Sequence, residues 1–124
     1  MSTISCILKE TFLNFYWVGF YIEDNGVLKV GPYQGTLGCL LISFDRGVCG
    51  RAFRLGETQI VENTHDDPEH IACDPKSNSE IVIPVRDNNN KCFAVLDVDS
   101  TEYGAFDIID QQFLEEIIIK AFNN

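Results

Sequence analysis

Apolar residues fall along this chain in short blocks broken by polar turns, and most blocks have the composition of strands. Residues 14–22 read NFYWVGFYI, an aromatic and β-branched run suited to a pleated, half-buried surface. Period-two alternation puts Phe15, Trp17, Gly19 and Tyr21 on one strand face, and Tyr16, Phe20 and Ile22 on the other. Asp24-Asn25-Gly26 follows, and Asn-Gly between two such runs signals a tight hairpin. Its second strand is expected over residues 27–30, stopping at Gly31-Pro32. Residues 39–44 (CLLISF) and 58–61 predict two more strands, and residues 80–85 and 91–98 an antiparallel pair around the polar turn 86–90. GVCGRAFRL at 47–55 predicts a short helix closed by Gly56. Residues 107–122 predict a longer one, with Asp107 as N-cap and Ile108, Phe113, Leu114, Ile117, Ile118 and Phe122 along one broad face. Residues 4–12 predict a helix of two turns.

Five or six strands with short connections and helices at the termini imply an α+β domain, a mostly antiparallel sheet with helices on one face. Residues 62–79 interrupt the scheme, because they lack apolar periodicity and hold both histidines and one cysteine. A connection of that length in a compact domain is more often functional than idle. A pocket between such loops and the free sheet face is the natural ligand site. At 124 residues the chain is long enough for one domain, expected to span 1–124.

Nineteen acidic against nine basic side chains give a net charge of −10. Phosphate backbones and anionic lipid surfaces repel such a chain, which argues against nucleic acid and membrane partners. No apolar run approaches the roughly 20 residues of a membrane helix. Met1-Ser2-Thr3-Ile4 lacks the basic start and apolar core of a secretory signal, so a cytoplasmic address is expected.

Five cysteines in a chain of this kind point to thiol chemistry or metal binding, with small apolar packing residues as the alternative. Cys73 lies in the long loop as HIACD, where a thiol meets solvent. Cys49 lies in GVCG at a helix N-terminus, where free amide N–H groups and the helix dipole favour the thiolate. Cys39 opens a strand after GTLG, whereas Cys92 and Cys6 read as packing residues. A zinc site would draw on His65, His70, Cys73, Cys49 and Cys39, but there is no CxxC knuckle to build on, and the histidines read as solvated or hydrogen-bonding loop residues. Seven acidic residues lie between Glu57 and Glu80 inclusive, against one base, Lys76. Asp97 and Asp99 then share a strand face directly after the apolar FAVL, either as a functional pair or because the strand emerges into water. Clustered carboxylates raise one another's pKa, so that one holds a proton at neutral pH, and they also bind ammonium groups. Trp17 and Tyr21 would wall a slot for a methyl or thioether, or simply pack the core.

NFYWVGFYI, GPYQG, RGVCG, GETQIV, HIACD, SNSEIVIPV and VLDVDS occur in the order and spacing of the GAF-domain free methionine-(R)-sulfoxide reductases, which the chain resembles from about Phe12 onward. The resemblance implies a GAF-like domain lacking the family's N-terminal helix, with a loop-covered pocket. It implies Cys73 as nucleophile, Cys39 as resolving thiol and Cys49 as an auxiliary one. Glu80, Asp97 and Asp99 would surround the substrate, and Trp17 and Tyr21 would form its aromatic wall. Free methionine sulfoxide would be the substrate and a thioredoxin-type dithiol the reductant, with no cofactor or metal and with room for a homodimer. The alternative is a GAF module that binds a small molecule or senses redox state without turnover. Asp45 departs from the family's usual glycine, and Arg51-Ala52-Phe53-Arg54 from its small residues.

Overall fold

The computed structural model describes residues 1–71 and 73–122. Its elements run α1 (Ser2–Thr11), β1 (Trp17–Asp24), β2 (Val27–Gln34), β3 (Leu41–Ser43), α2 (Gly47–Leu55), β4 (Gln59–Val61), a 3-10 turn (Thr64–Asp66), β5 (Ser79–Arg86), β6 (Cys92–Ser100) and α3 (Ile108–Phe122). Six strands form one antiparallel sheet in the order β3-β2-β1-β6-β5-β4. Among the described residues no helix is long and apolar enough to cross a membrane.

Asn25 and Gly26 both take positive φ, 51° and 87°, and close the β1–β2 hairpin between the paired Asp24 and Val27. That left-handed pair matches the twist of the strands it joins, which is why Asn-Gly announces the turn. β2 runs past Gly31-Pro32 to Gln34, further than the proline implied. Its pairing with β1 shifts register between Gly19 and Tyr21, and an irregularity of this kind tolerates a residue without an N–H.

The sheet separates two apolar layers. On one face Val18, Phe20, Ile81, Ile83, Ala94, Leu96 and Val98 pack under Leu8 of α1 and Leu114 and Ile118 of α3. On the other, Trp17, Tyr21, Val82 and Val95 meet Val48, Cys49 and Ala52 of α2. The terminal helices thus share one face as expected, while α2 joins the loops over the other. Phe15 packs in the α1/α3 layer with Phe12 and Phe106, opposite to the face expected for it, because β1 begins only at Trp17 and alternation does not extend back to it.

Burial on α3 is narrower than its apolar sequence suggests. Leu114 and Ile118 are buried, but Ile108, Ile109, Phe113 and Ile119 are exposed, Ile109 at 69%. Cys6, expected to pack, is also exposed, and Cys92 is half-buried with its Sγ donating to the Ala94 carbonyl. Asp107 caps α3 as predicted: its Oδ1 accepts from the Ile109 and Asp110 amides at 3.0 and 3.2 Å, and Asp110 Oδ2 accepts from the Asp107 amide at 2.9 Å. This reciprocal pair satisfies otherwise orphaned amides. Asp107→Ala is expected to lower unfolding free energy by about 1 kcal/mol in urea titrations, with an unchanged slope.

Candidate active site

The β1–β6–β5 register builds the floor of the site. Trp17 lies opposite Asp99, Gly19 opposite Asp97 and Tyr21 opposite Val95, while Glu80 and Val82 of β5 face Asp99 and Asp97 from the other side. Period-two alternation then sets Trp17, Tyr21, Glu80, Asp97 and Asp99 on one face, beneath α2 and the loops. The Trp17 and Tyr21 rings stack at 5.9 Å between centroids, and Tyr33 stacks on Trp17 at 5.1 Å. Gly19 permits this layer, since a Cβ there would meet the Trp17 ring at 2.7 Å and collide with Tyr33.

The roof comes from two loops. Cys39 and Cys73, 34 residues apart, form a disulfide with Cα atoms 5.4 Å apart. Cys39 lies in the loop before β3 and does not open the strand as the sequence suggested, because β3 starts at Leu41. Trp17 Nε1 donates to the Thr36 carbonyl at 2.8 Å and the Tyr21 hydroxyl to the Cys39 carbonyl at 2.9 Å, so the aromatic wall also carries this loop. Between floor and roof lies a cleft of about 510 Å³ including its open mouth, lined by all eight residues singled out from sequence except Cys39.

The chemistry is concentrated at its base. Ligating atoms of Cys49, Glu80 and Asp97 all lie within 4.8 Å of one another. Glu80 and Asp97 are each only 5% exposed, whereas Asp99 is half-buried. Burial drives the Asp97 carboxyl well above the ordinary carboxylate range, and the charges of Asp99 and Glu80 add to the rise. Asp99 is raised as well, by burial first and then by Glu80. Burial also opposes ionisation of Glu80, but the neighbouring Asp97 and His70 side chains outweigh it and leave this carboxyl lowered. The three groups therefore divide into one carboxyl held low and two held high, the kind of separation that suits a site to both bind a cation and donate a proton. Glu80 Oε1 and Asp97 Oδ1 are buried without a protein hydrogen-bond partner, leaving acceptor capacity for a ligand.

Cys49 departs from the sequence expectation. It sits near the start of α2, but burial pushes its thiol well above the ordinary value, and Asp97, Glu80 and Asp99 push it further. Burial, with the nearby acids, outweighs the helix terminus, and the thiol stays protonated. Of the residues considered for zinc, Cys39 and Cys73 are tied up in the disulfide, and His65 pairs with Asn78 at 2.8 Å.

Three contributors were not legible in the sequence. His70, read there as a loop residue, places Nδ1 3.5 Å from Glu80 Oε1. Arg51, noted only as a departure from small residues, grips Asp67 bidentately at 3.1 and 2.7 Å and Gln59 at 2.9 Å, fastening the long loop to α2. Asp74 accepts from the Tyr16 and Thr36 hydroxyls at 2.8 and 2.7 Å, bridging the two roof loops. Only its place next to Cys73 hinted at a role.

Residues 7–118 match the GAF domain family. The free methionine-R-sulfoxide reductase of Saccharomyces cerevisiae is 41% identical over 112 residues, covering 88% of this chain and 62% of that protein. The protein of the same name from Escherichia coli is 40% identical over 118 residues, covering 95% and 71%. The chain thus spans less than two thirds of the length of the yeast relative. Among solved structures, the free methionine-R-sulfoxide reductase of Neisseria meningitidis in complex with its substrate superimposes with a TM-score of 0.91 at 41% identity, covering 94% of this chain and 70% of the other.

Because Asp97 holds its proton in the folded protein but loses it on unfolding above the ordinary carboxylate pKa, folding takes up a proton there and stability falls as pH rises. Asp97→Asn removes that titration. Its melting temperature is expected to gain on the wild type progressively as pH rises above about 4, read by scanning calorimetry in a pH series.

Proposed function

The chain belongs to the GAF-domain family of free methionine-R-sulfoxide reductases, and on that premise we propose that it reduces free methionine-(R)-sulfoxide to methionine with its own cysteines. The observation that carries the reading is the Cys39–Cys73 disulfide over a cleft whose base holds protonated and ionised carboxyls.

In this mechanism the Trp17–Tyr21 wall takes the substrate's methyl group and thioether chain. The Glu80 carboxylate receives its ammonium group, using acceptor capacity that the protein leaves open. The exposed Cys73 attacks the sulfoxide sulfur as thiolate, while the protonated pair Asp97/Asp99 supplies a proton to the sulfoxide oxygen and makes it a better leaving group. The substrate S–O bond breaks as water leaves, a water then adds to the Cys73 sulfur and the sulfur–sulfur bond breaks, so that methionine departs reduced by two electrons and Cys73 is left as a sulfenic acid. The Cys39 thiol then displaces water from that sulfur and forms the disulfide, which an external thioredoxin-type dithiol reopens by exchange. Cys49, sealed against the carboxyls with its thiol protonated, is poorly suited to attack first and serves as the auxiliary thiol. No cofactor enters this sequence of steps. A cytoplasmic setting suits three free cysteines beside a redox-cycling pair. The exposed Ile108, Ile109, Phe113 and Ile119 of α3, with Ile7 and Leu13 nearby in sequence on and after α1, support a homodimer through the helical face.

Turnover of racemic free methionine sulfoxide with thioredoxin, its reductase and NADPH tests the proposal. Wild type is expected to consume one epimer, the R form, and Cys73→Ser neither. Consumption of neither epimer by the wild type would replace this reading with that of a ligand-binding module. Asp97→Asn is expected to lower kcat roughly 10²-fold, and wild-type activity to decline as rising pH removes the proton from the acid pair.

A further inference from the structure

The loops that carry Cys39 and Cys73 are joined by more than their sulfurs. Asp74, the residue after Cys73, directs Oδ2 at two hydroxyls of other segments, Tyr16 at 2.8 Å and Thr36 at 2.7 Å, while its Oδ1 accepts from the Lys76 amide at 2.9 Å. Both hydroxyls stand on anchored backbone. The Tyr16 amide donates to the Asp99 carbonyl at 2.8 Å, tying it to the edge of the carboxyl cluster. The Thr36 carbonyl accepts from Trp17 Nε1 at 2.8 Å, and three residues on, Cys39 is held through its carbonyl by Tyr21. The Cys39 loop is therefore a platform fixed to β1, and Asp74 is the side chain that docks the Cys73 loop onto it. Hydrogen bonds from the Lys76 amide and from Thr36 and Tyr16 hold the Asp74 carboxyl below the ordinary carboxylate range, so the acceptor stays charged at neutral pH, and bonds to a charged acceptor are the stronger kind.

We propose that Asp74, with Tyr16 and Thr36, is a positioning device for the thiol pair: the clasp keeps the Cys73 loop docked against Cys39 when the disulfide is open. Two thiols held together in this way act at a high effective concentration toward each other, which favours ring closure over mixed disulfides with outside thiols. The Cys39 sulfur bonds to the sulfenic sulfur of Cys73, the S–O bond breaks, and hydroxide leaves with the Cys39 proton as water. The Cys39 sulfur is oxidised as the Cys73 sulfur is reduced. Asp74 takes no part in the bond changes. The benefit to turnover rests on the reductase reading, but the clasp itself acts on the redox equilibrium without any sulfoxide.

The whole chain is equilibrated in a series of reduced and oxidised glutathione mixtures, and the fraction of Cys39–Cys73 disulfide is read by alkylation and mass spectrometry. Asp74→Ala is expected to lower the equilibrium constant for disulfide formation roughly tenfold, with Tyr16→Phe and Thr36→Val each showing a smaller loss and Asp74→Asn an intermediate one. In reduced protein treated with limiting peroxide, dimedone trapping of the sulfenic acid should rise in Asp74→Ala, because Cys39 arrives more slowly. An equilibrium constant equal to wild type in Asp74→Ala overturns the proposal. Should Asp74→Ala fail to fold, as judged by circular dichroism, the combined Tyr16→Phe/Thr36→Val variant decides it, and a wild-type constant there overturns it equally. Methionine sulfoxide is absent from both measurements, so failure of the clasp and failure of the reductase reading are separate results.

Discussion

The antiparallel register of β6 between β1 and β5 is the constraint on which the rest of the site depends. It sets Asp99 between Trp17 and Glu80, and Asp97 between Gly19 and Val82, in two successive cross-strand rows. A slip of one residue would turn Asp97 and Asp99 into the layer of Phe20, Leu96 and Ile118 and bring apolar side chains up beneath the loops. The register is held from the opposite face, where Val18, Phe20, Ile81, Ile83, Leu96 and Val98 pack almost without exposure under α1 and α3. The terminal helices pack on the layer opposite the cleft, yet the apolar core they cover keeps the carboxyls aimed into it.

Placing acids on a sheet face that is then roofed over is costly, and burial answers by shifting two of the three toward their neutral form. Asp97 and His70 beside Glu80 hold its carboxyl low against burial, while burial and the charge of Glu80 raise both Asp97 and Asp99, with Asp99 adding to the rise of Asp97. The same field silences Cys49. A thiol at a helix N-terminus is ordinarily a candidate nucleophile, but here the terminus faces acids in a dry interior, and desolvation outweighs the dipole.

Those requirements explain the division of the molecule into a rigid floor and an attached roof. Aromatic side chains of β1 serve both parts, since Trp17 and Tyr21 wall the cleft with their rings and hold the Cys39 loop with their polar tips. The Cys73 loop is fastened by carboxylates, at Asp67 to Arg51 of α2 and at Asp74 to Tyr16 and Thr36. Covalent chemistry between two loops requires that both be positioned yet able to part, and hydrogen bonds to carboxylates meet that need better than a continuous apolar contact.

Local patterning by itself determined the hairpin at Asn25-Gly26, the capped α3, the span of α2 and the strands that carry Asp97 and Asp99, because each follows from φ preferences, orphaned amides or side-chain alternation within a few residues. The motif order also placed Cys39, Cys73, Trp17, Tyr21 and Glu80 among the candidates. Outside the strands the local signal fails: alternation puts Phe15 on the wrong face, and Cys6, Ile108 and Phe113 are exposed although their apolar helical settings imply packing. Only the tertiary structure decided the ionisation of Cys49, the pairing of His70 with Glu80 and the bridging role of Asp74. The physical reason is common to all three: burial and long-range partners, in Asp74's case 58 and 38 residues away, set the state of these side chains, and neither quantity is written in the residues beside them.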